Sequence, residues 1–308
     1  MRLLLMLIFS INAILLLQAQ NYSAYSLGNN TDATGIAQGG VCLMGGATED
    51  DNAILWFLQR AGGGDILVLR ASGSDAYNSY FYNMPGVNIN SVTTIVCHNM
   101  MASTDSFLLQ KIEKAEAIWF AGGDQWDYVS YWRGTAIDSL INKAIRDRHI
   151  VIGGTSAGMA IQGGYYFSAQ YGTVSSSTAL SHPYANAVTI DSMAFIKNTY
   201  LSDVITDTHY DNPDRRGRQS VFLARILTDY GINAKGIACE EYTAVCIDTN
   251  GIAKVFGDYP NYDDKAYFIQ TNCSLSSYTP ENCSNGQALT WDRDSAALVV
   301  CTINGTST

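Results

Sequence analysis

Basic residues are scarce in this chain. Of 308 residues only 18 are Lys or Arg, against 28 Asp or Glu, and the formal net charge is −10. The densest basic stretch is Asp214-Arg215-Arg216-Gly217-Arg218. Binding to nucleic acid rests on neutralising phosphates from a basic face, so this balance argues against a nucleic-acid partner. Histidine is scarcer still: His98, His149, His182 and His209 are the only four. Any imidazole chemistry must use one of them. No cysteine pair has C-x-x-C spacing, which argues against a structural zinc site. There is no internal repeat and no low-complexity tract. Long apolar runs are absent after the first residues. Leu3 to Leu17 is apolar but broken by Ser10 and Asn12, too short and interrupted for a membrane span. With Arg2 before it and the small Ala19 after it, the stretch reads as an export signal over residues 1–19. No cysteine at the cleavage point suggests a lipoprotein. The expectation is a secreted or periplasmic mature chain starting near Gln20, without a membrane span.

Apolar residues make up 47% of the chain and charged residues 15%, enough to bury a sizeable core. Residues 20–38 are polar and rich in Gly, Ser, Thr and Asn, and read as a linker. From Gly39 short apolar runs alternate with helical spacing. Val41–Met44, Ile66–Leu69, Thr93–Cys97, Ala117–Ala121 and Ile150–Ile152 read as strands. Ala53–Arg60, Ser106–Ala115 and Tyr128–Arg146 read as helices. Such alternation predicts an α/β fold with a mostly parallel, doubly wound sheet, whose functional edge lies at the carboxyl ends of the strands. Gly163 to Pro183 reads as an irregular excursion and Ser220–Leu227 as a helix. From Ala238 the signals turn β-like. Residues 39–308 are therefore read as one domain with a β-rich C-terminal extension from about residue 256. Seven cysteines leave at least one unpaired unless it bridges two chains. Cys42 and Cys97 lie in strand-like runs and are expected to be buried thiols. Cys273 and Cys283 flank a polar loop and, in an oxidising compartment, are the expected bridge.

The most informative stretch is Ile150-Val151-Ile152-Gly153-Gly154-Thr155-Ser156-Ala157-Gly158-Met159. A β-branched run stops at a serine set among small residues, and Met159-Ala160-Ile161 opens a helix. Gly154 to Gly158 fits G-x-S-x-G, the sharp strand-to-helix turn that exposes a nucleophilic serine. Close neighbours must lack bulk there, and the next amide N–H is free to hold an oxyanion. A serine needs a base. His149 precedes the strand and falls at the opposite sheet edge. His98 is admissible by position, and His182 lies in the irregular region. His209 follows a strand-like stretch and stands beside Asp207, the position that best suits a general base. The third member should be a carboxylate that orients the imidazole. Glu240 and Glu241 sit in an otherwise apolar segment, where a charge needs a partner. Period-2 alternation sends them to opposite faces, so only one can serve. The order Ser, His, acid is not that of the α/β-hydrolases, where the acid precedes the histidine, and this counts against an esterase or lipase.

Four motifs in order carry a resemblance: Gly153-Gly154-Thr155-Ser156-Ala157-Gly158; Phe120-Ala121-Gly122-Gly123-Asp124-Gln125; Asp207-Thr208-His209-Tyr210 followed by Arg215-Arg216-Gly217-Arg218; and Glu240-Glu241-Tyr242-Thr243-Ala244. Together they resemble the cyanophycinase branch of peptidase family S51, over roughly Gly39 to Val255. The resemblance implies a sheet like that of class I glutamine amidotransferase domains and a Ser-His-Glu triad, with no metal or cofactor. By position Ser156 matches the nucleophile, His209 the base and Glu241 the acid. Gly123 and Ala157 match the oxyanion amides, and Gln125, Asp207, Arg215 and Arg218 the substrate contacts. Thr208 and Pro213 depart from the family pattern, which often has Gln before the histidine and Arg four residues after it. The implied activity is a serine exopeptidase acting on aspartyl-type bonds and releasing dipeptides, β-Asp-Arg if the substrate is cyanophycin. An α-aspartyl dipeptidase of the same family is the alternative enzyme. A non-catalytic peptide- or glycan-binding protein, using the tyrosines between Tyr165 and Tyr184, is the alternative from another class. The expected partner is a peptide or aspartyl polymer. The oligomeric state is left open, a homodimer included.

Overall fold

The computed structural model describes residues 20–33 and 35–308; the expected export signal, residues 1–19, lies outside the described residues. The first half of the chain runs β1 (Tyr22–Gly28), β2 (Val41–Met44), α1 (Asp51–Gln59), β3 (Asp65–Arg70), α2 (Ala76–Tyr82), β4 (Ser91–Cys97), α3 (Ser106–Lys114), β5 (Ala117–Phe120), α4 (Gln125–Trp132), α5 (Ala136–Arg148) and β6 (Val151–Thr155). The second half runs α6 (Ala157–Ala160), β7 (Tyr166–Phe167), α7 (Ser176–Ser181), β8 (Ile190–Asp191), β9 (Val204–Asp207), α8 (Arg216–Tyr230), β10 (Lys235–Cys239), β11 (Ala244–Ile247), β12 (Ala253–Phe256), β13 (Lys265–Thr271) and β14 (Leu298–Asn304).

The main sheet has the order β1-β4-β3-β5-β6-β2-β11-β12. Its centre, from β4 to β2, is parallel, and the strands outside it are antiparallel. Successive strand residues point to opposite faces. Ile66 and Val68 join a layer with Ile54, Phe57 and Leu58 of α1. Leu67 and Leu69 join a layer with Leu108 and Ile112 of α3 and Ile137 and Ile141 of α5. Burial on both faces is why these strands read as unbroken apolar runs. Asp50 starts α1 by accepting the Ala53 N–H at 2.8 Å, and Asp105 starts α3 through the Phe107 N–H at 2.9 Å. Such caps contribute about 1 kcal/mol each. The single helix expected over Tyr128–Arg146 is two. Arg133-Gly134-Thr135 separates them, and Thr135 caps α5.

Two further expectations are corrected and a third, the β-rich extension, is found and extended. The polar segment 20–38 is not all linker, because Tyr22–Gly28 pairs antiparallel with β4 along its whole length. Its residues are half-buried or exposed throughout, so the strand needs few apolar residues and composition disguised it. The β-rich extension exists, but it is only half of its sheet. β13 and β14 complete a four-stranded sheet, β14-β13-β10-β9, whose other strands precede residue 256. Cys273 and Cys283 are not bridged; all seven cysteines are free. Cys273 Sγ stands against the Asn233 amide and the Thr271 carbonyl, whereas Cys283 packs among Thr228, Tyr184 and Arg225. Ten residues of separation set a loop length but not the direction of either thiol. Cys42 and Cys97 are buried as expected. Among the described residues no helix is long and apolar enough to cross a membrane.

Candidate active site

The carboxyl end of β2 gathers three loops by backbone hydrogen bonds. The Met44 carbonyl accepts the Ser156 N–H at 3.0 Å. The Gly45 carbonyl accepts the His209 N–H at 2.8 Å, and the Gly46 carbonyl accepts the Tyr242 N–H at 3.1 Å. Ser156 follows β6, the parallel neighbour of β2, and His209 follows β9 of the second sheet. Glu240-Glu241-Tyr242-Thr243 is the crossing from β10 of the second sheet to β11 of the first. The site thus stands where the two sheets meet.

Ser156 has φ 51° and ψ −115°, a conformation that costs a non-glycine residue about 1–3 kcal/mol and is held only where the surroundings over-determine it. Here the flanking glycines allow close approach. A Cβ on Gly158 would stand 2.6 Å from the Phe120 carbonyl carbon. The Ser156 hydroxyl lies 2.8 Å from His209 Nε2, and His209 Nδ1 lies 2.6 Å from Glu241 Oε1. Asn212 Nδ2 donates to Glu241 Oε2 at 3.3 Å, and the Glu241 N–H donates to Asp211 Oδ1 at 3.0 Å. Hydrogen bonding to His209 and Asn212, with the Arg215 charge nearby, holds the Glu241 carboxyl below the usual carboxylate range. Glu240 turns the other way. It is buried and accepts the Tyr267 hydroxyl of β13 at 2.6 Å, and burial pushes its pKa up. The two acids therefore have opposite environments, and Glu241 is the one within reach of the imidazole.

Gly123, Asp124, Gln125, Ser156, Ala169, Gly172, Thr173, Thr208, His209, Arg215 and Arg218 line one cavity of about 320 Å³. Gly123, in the turn after β5, has φ 156°, and Ala157 is the first residue of α6. Neither amide N–H has a partner among the described residues. Gln125 Nε2 donates to the Phe167 carbonyl at 3.3 Å. Arg218 and Asp207 do not fit the expected role of open substrate contacts. Arg218 is 2% exposed. It grips Asp207 in a bidentate pair, with Nε donating to Oδ2 at 2.9 Å and Nη2 to Oδ1. Its remaining Nη1 donates to Thr173 Oγ1 at 3.2 Å. The pair satisfies itself within the cavity wall. Arg215 differs. Its Nη1 donates to the Thr208 carbonyl at 3.0 Å, and among the described residues no carboxylate pairs with it. Burial and the Arg218 charge lower its pKa, yet a guanidinium stays cationic.

Two contributors escaped the sequence. Gly46 lies against the imidazole, where a Cβ would stand 2.9 Å from His209 Nδ1 and closer still to Cε1 and Nε2. Gly45-Gly46 follows the Val41–Met44 strand directly, and nothing in that stretch of sequence names the imidazole beside it. Asn212 follows His209 by three residues and reads as loop. Among the described residues, His98 bonds to Ser23 of β1 and no other histidine approaches Ser156. No cluster of His, Cys, Asp or Glu there is arranged to hold a metal ion.

The comparisons with known proteins follow the same lines. A solved peptidase from an acI-B1 actinobacterium is similar over 88% of this chain and 96% of its own, with a TM-score of 0.53 at 12% identity, a likeness of fold. A putative peptidase E protein from Listeria monocytogenes EGD-e aligns over 72% of this chain and 100% of its own, with a TM-score of 0.47 at 16% identity. The model of peptidase family S51 matches residues 51–255, which hold β2's neighbours, the serine turn, His209 and Glu241. The chain belongs to peptidase family S51 and is a serine peptidase.

Proposed function

We propose that the protein hydrolyses aspartyl-type peptide bonds through Ser156, His209 and Glu241, releasing dipeptides by way of an acyl-enzyme. The observation that carries this reading is the continuous relay, 2.8 Å from hydroxyl to imidazole and 2.6 Å from imidazole to carboxylate. Ser156 Oγ attacks the scissile carbonyl while His209 Nε2 takes its proton. The amides of Gly123 and Ala157 hold the oxyanion. His209 then protonates the leaving amine, and water, deprotonated by the same imidazole, releases the acyl fragment. Glu241 stays ionised and fixes the ring. Its depressed pKa suits that role.

Substrate preference is read from charge. Arg215 lines the cavity with donors to spare, and a guanidinium binds a carboxylate through parallel hydrogen bonds. A cavity near 320 Å³ takes a fragment of one or two residues rather than an extended chain. Both favour an acidic residue next to the scissile bond. Export belongs to the same proposal and rests on residues 1–19, so the N-terminus of protein recovered outside the cytoplasm should begin near Gln20. The direct test incubates purified enzyme with cyanophycin and, separately, with α-aspartyl dipeptides, alongside fluorophosphonate labelling. Dipeptide release from the polymer, with the label on Ser156, supports the proposal. Cleavage of the small peptides alone assigns the dipeptidase activity instead. No labelling of Ser156 refutes the relay.

A further inference from the structure

β14 is the last strand of the four-stranded sheet, and among the described residues nothing pairs with its outer edge. Its sequence is Leu-Val-Val-Cys-Thr-Ile-Asn. Val299, Val300 and Ile303 are 43%, 53% and 41% exposed, and Cys301 is exposed between them. Natural sheets blunt such edges with lysine, proline, bulges or a covering element. None of these occurs from Leu298 to Asn304, where β14 pairs without interruption with β13. Of the main sheet's outer strands, β1 reads Tyr-Ser-Ala-Tyr-Ser-Leu-Gly, with two serines and a glycine, and is less apolar. The third outer strand, β12, carries Lys254, and β9 is covered in part by a bridge from Tyr165 to Ile205.

We propose that β14 is a homodimer seam, in which two copies pair antiparallel about a two-fold axis at Cys301. The occupant is argued from the strand itself. Cys301 is its midpoint, so the axis sets Val299 opposite Ile303, Val300 opposite Thr302, and Cys301 opposite its own copy. Each pair is apolar or β-branched, and no charge meets a like charge. The pairing joins the two small sheets into one of eight strands. The chain beyond the strand is tied down, with Thr306 hydrogen-bonded to Val255 and Gly257, so Val299 to Ile303 is the part free to pair. A seam this short is well below the roughly 20–30 residues a side of a stable interface, so association is weak and concentration-dependent. The exposed Cys301 thiol would meet its symmetry mate at the axis.

Sedimentation velocity on the purified full chain, over two decades of concentration up to the hundred-micromolar range, tests the association. A reversible monomer–dimer equilibrium is expected, shifted to monomer at least tenfold by Val300→Lys. Far-UV circular dichroism checks that the variant folds, and a second variant, Thr302→Lys, should act alike. The register is tested by copper–phenanthroline with dissolved oxygen, which accepts two electrons as two thiols lose their protons and form one S–S bond. A covalent dimer should form, survive Cys273→Ser and disappear in Cys301→Ser. A monomer at every concentration overturns the proposal. So does a dimer that ignores both lysines but yields to Ala24→Lys in β1, or a cross-link running equally through Cys273. Fluorophosphonate labelling of Ser156 should be unchanged in the lysine variants, so failure here and failure of the proposed catalysis are separable.

Discussion

A methyl group at position 46 would stand inside the space of the His209 ring. The Cβ built on Gly46 falls 2.9 Å from Nδ1 and nearer to Cε1 and Nε2, whereas carbon contacts settle near 3.5–4.0 Å. The backbone cannot yield readily, because the carbonyls of Gly45 and Gly46 hold His209 and Tyr242. The ring must therefore move, by about 1 Å on that contact distance. The bond between Nε2 and Ser156 Oγ, now 2.8 Å, would lengthen beyond hydrogen-bond range. A misplacement of this size costs roughly 10²-fold in rate. Gly46→Ala should lower the rate of fluorophosphonate labelling by that order, a readout that needs no natural substrate. It should also destabilise the fold by about 1–2 kcal/mol, since Gly46 has φ 128°. Gly134→Ala is the matched control: φ is 73° there with nothing within 4 Å of the added carbon, so it should share the strain and keep the labelling rate. A Gly46→Ala enzyme that labels like wild type would refute the claim that this glycine makes room for the imidazole.

The other predictions concern charge. Glu241→Gln should cut kcat on the order of 10³–10⁴-fold, whereas Glu240→Gln, whose partner is Tyr267, should change it little; steady-state kinetics showing the reverse order would move the orienting acid to Glu240. Arg215→Ala should raise KM for an acidic substrate by one to two orders of magnitude, on the basis of about 1.5–3 kcal/mol for a charge-assisted bond, and leave the melting temperature nearly unchanged. Arg218→Ala strands the buried Asp207 carboxylate and should lower stability by about 3–5 kcal/mol, visible in urea melts; equal effects of the two substitutions on KM alone would contradict the assignment. Burial pushes the Glu116 carboxyl up to about 7 from its ordinary 4.5, so between those values the folded state holds more protons than the unfolded state and stability falls as pH rises. Glu116→Gln should flatten that slope, worth about 2 kcal/mol, and melts from pH 4.5 to 7 that keep the same slope would exclude Glu116 as its source.

The layers of the main sheet were legible because strands such as Ile66–Leu69 and Ala117–Phe120 are buried on both faces and leave unbroken apolar runs. The serine turn was legible because Gly154 and Gly158 are required by close backbone approach, which leaves a spacing in the sequence. Features set by distant partners were not. Asp207 and Arg218 each carry a charge that suits a substrate, and only the fold shows that they satisfy each other. β1 was hidden because an edge strand that buries neither face fully has the composition of a linker. The break between α4 and α5 was missed because apolar spacing continues past Gly134, although a glycine before a capping threonine is itself a boundary signal. The directions of the Cys273 and Cys283 thiols depend on what each packs against, which spacing cannot encode.

The place of Glu241 depends on both sheets at once. Glu240 and Glu241 stand in the few residues by which the chain leaves β10 and enters β11. On one side Glu240 is fastened to the second sheet, with its N–H donating to the Lys265 carbonyl at 3.1 Å and its carboxylate accepting the Tyr267 hydroxyl. On the other side Thr243 is fastened to the first sheet, where its carbonyl accepts the Gly45 N–H at 2.9 Å. Glu241 is suspended between these anchors, and among the described residues the side-chain partners that orient its carboxylate are His209 and Asn212. Lys265 and Tyr267 belong to β13, beyond the residues that match the family model. The C-terminal strands are thus not an appendage to the site. They hold one end of the crossing from which the acid is presented, and the serine and histidine are held from the other end by β2. His209 and Glu241 both stand in loops that leave the second sheet and are tied back to Gly45 and Gly46, whereas Ser156 stands in a turn of the first sheet, so a rigid-body shift between the sheets would strain the 2.8 Å contact of His209 with Ser156 before the 2.6 Å contact of His209 with Glu241.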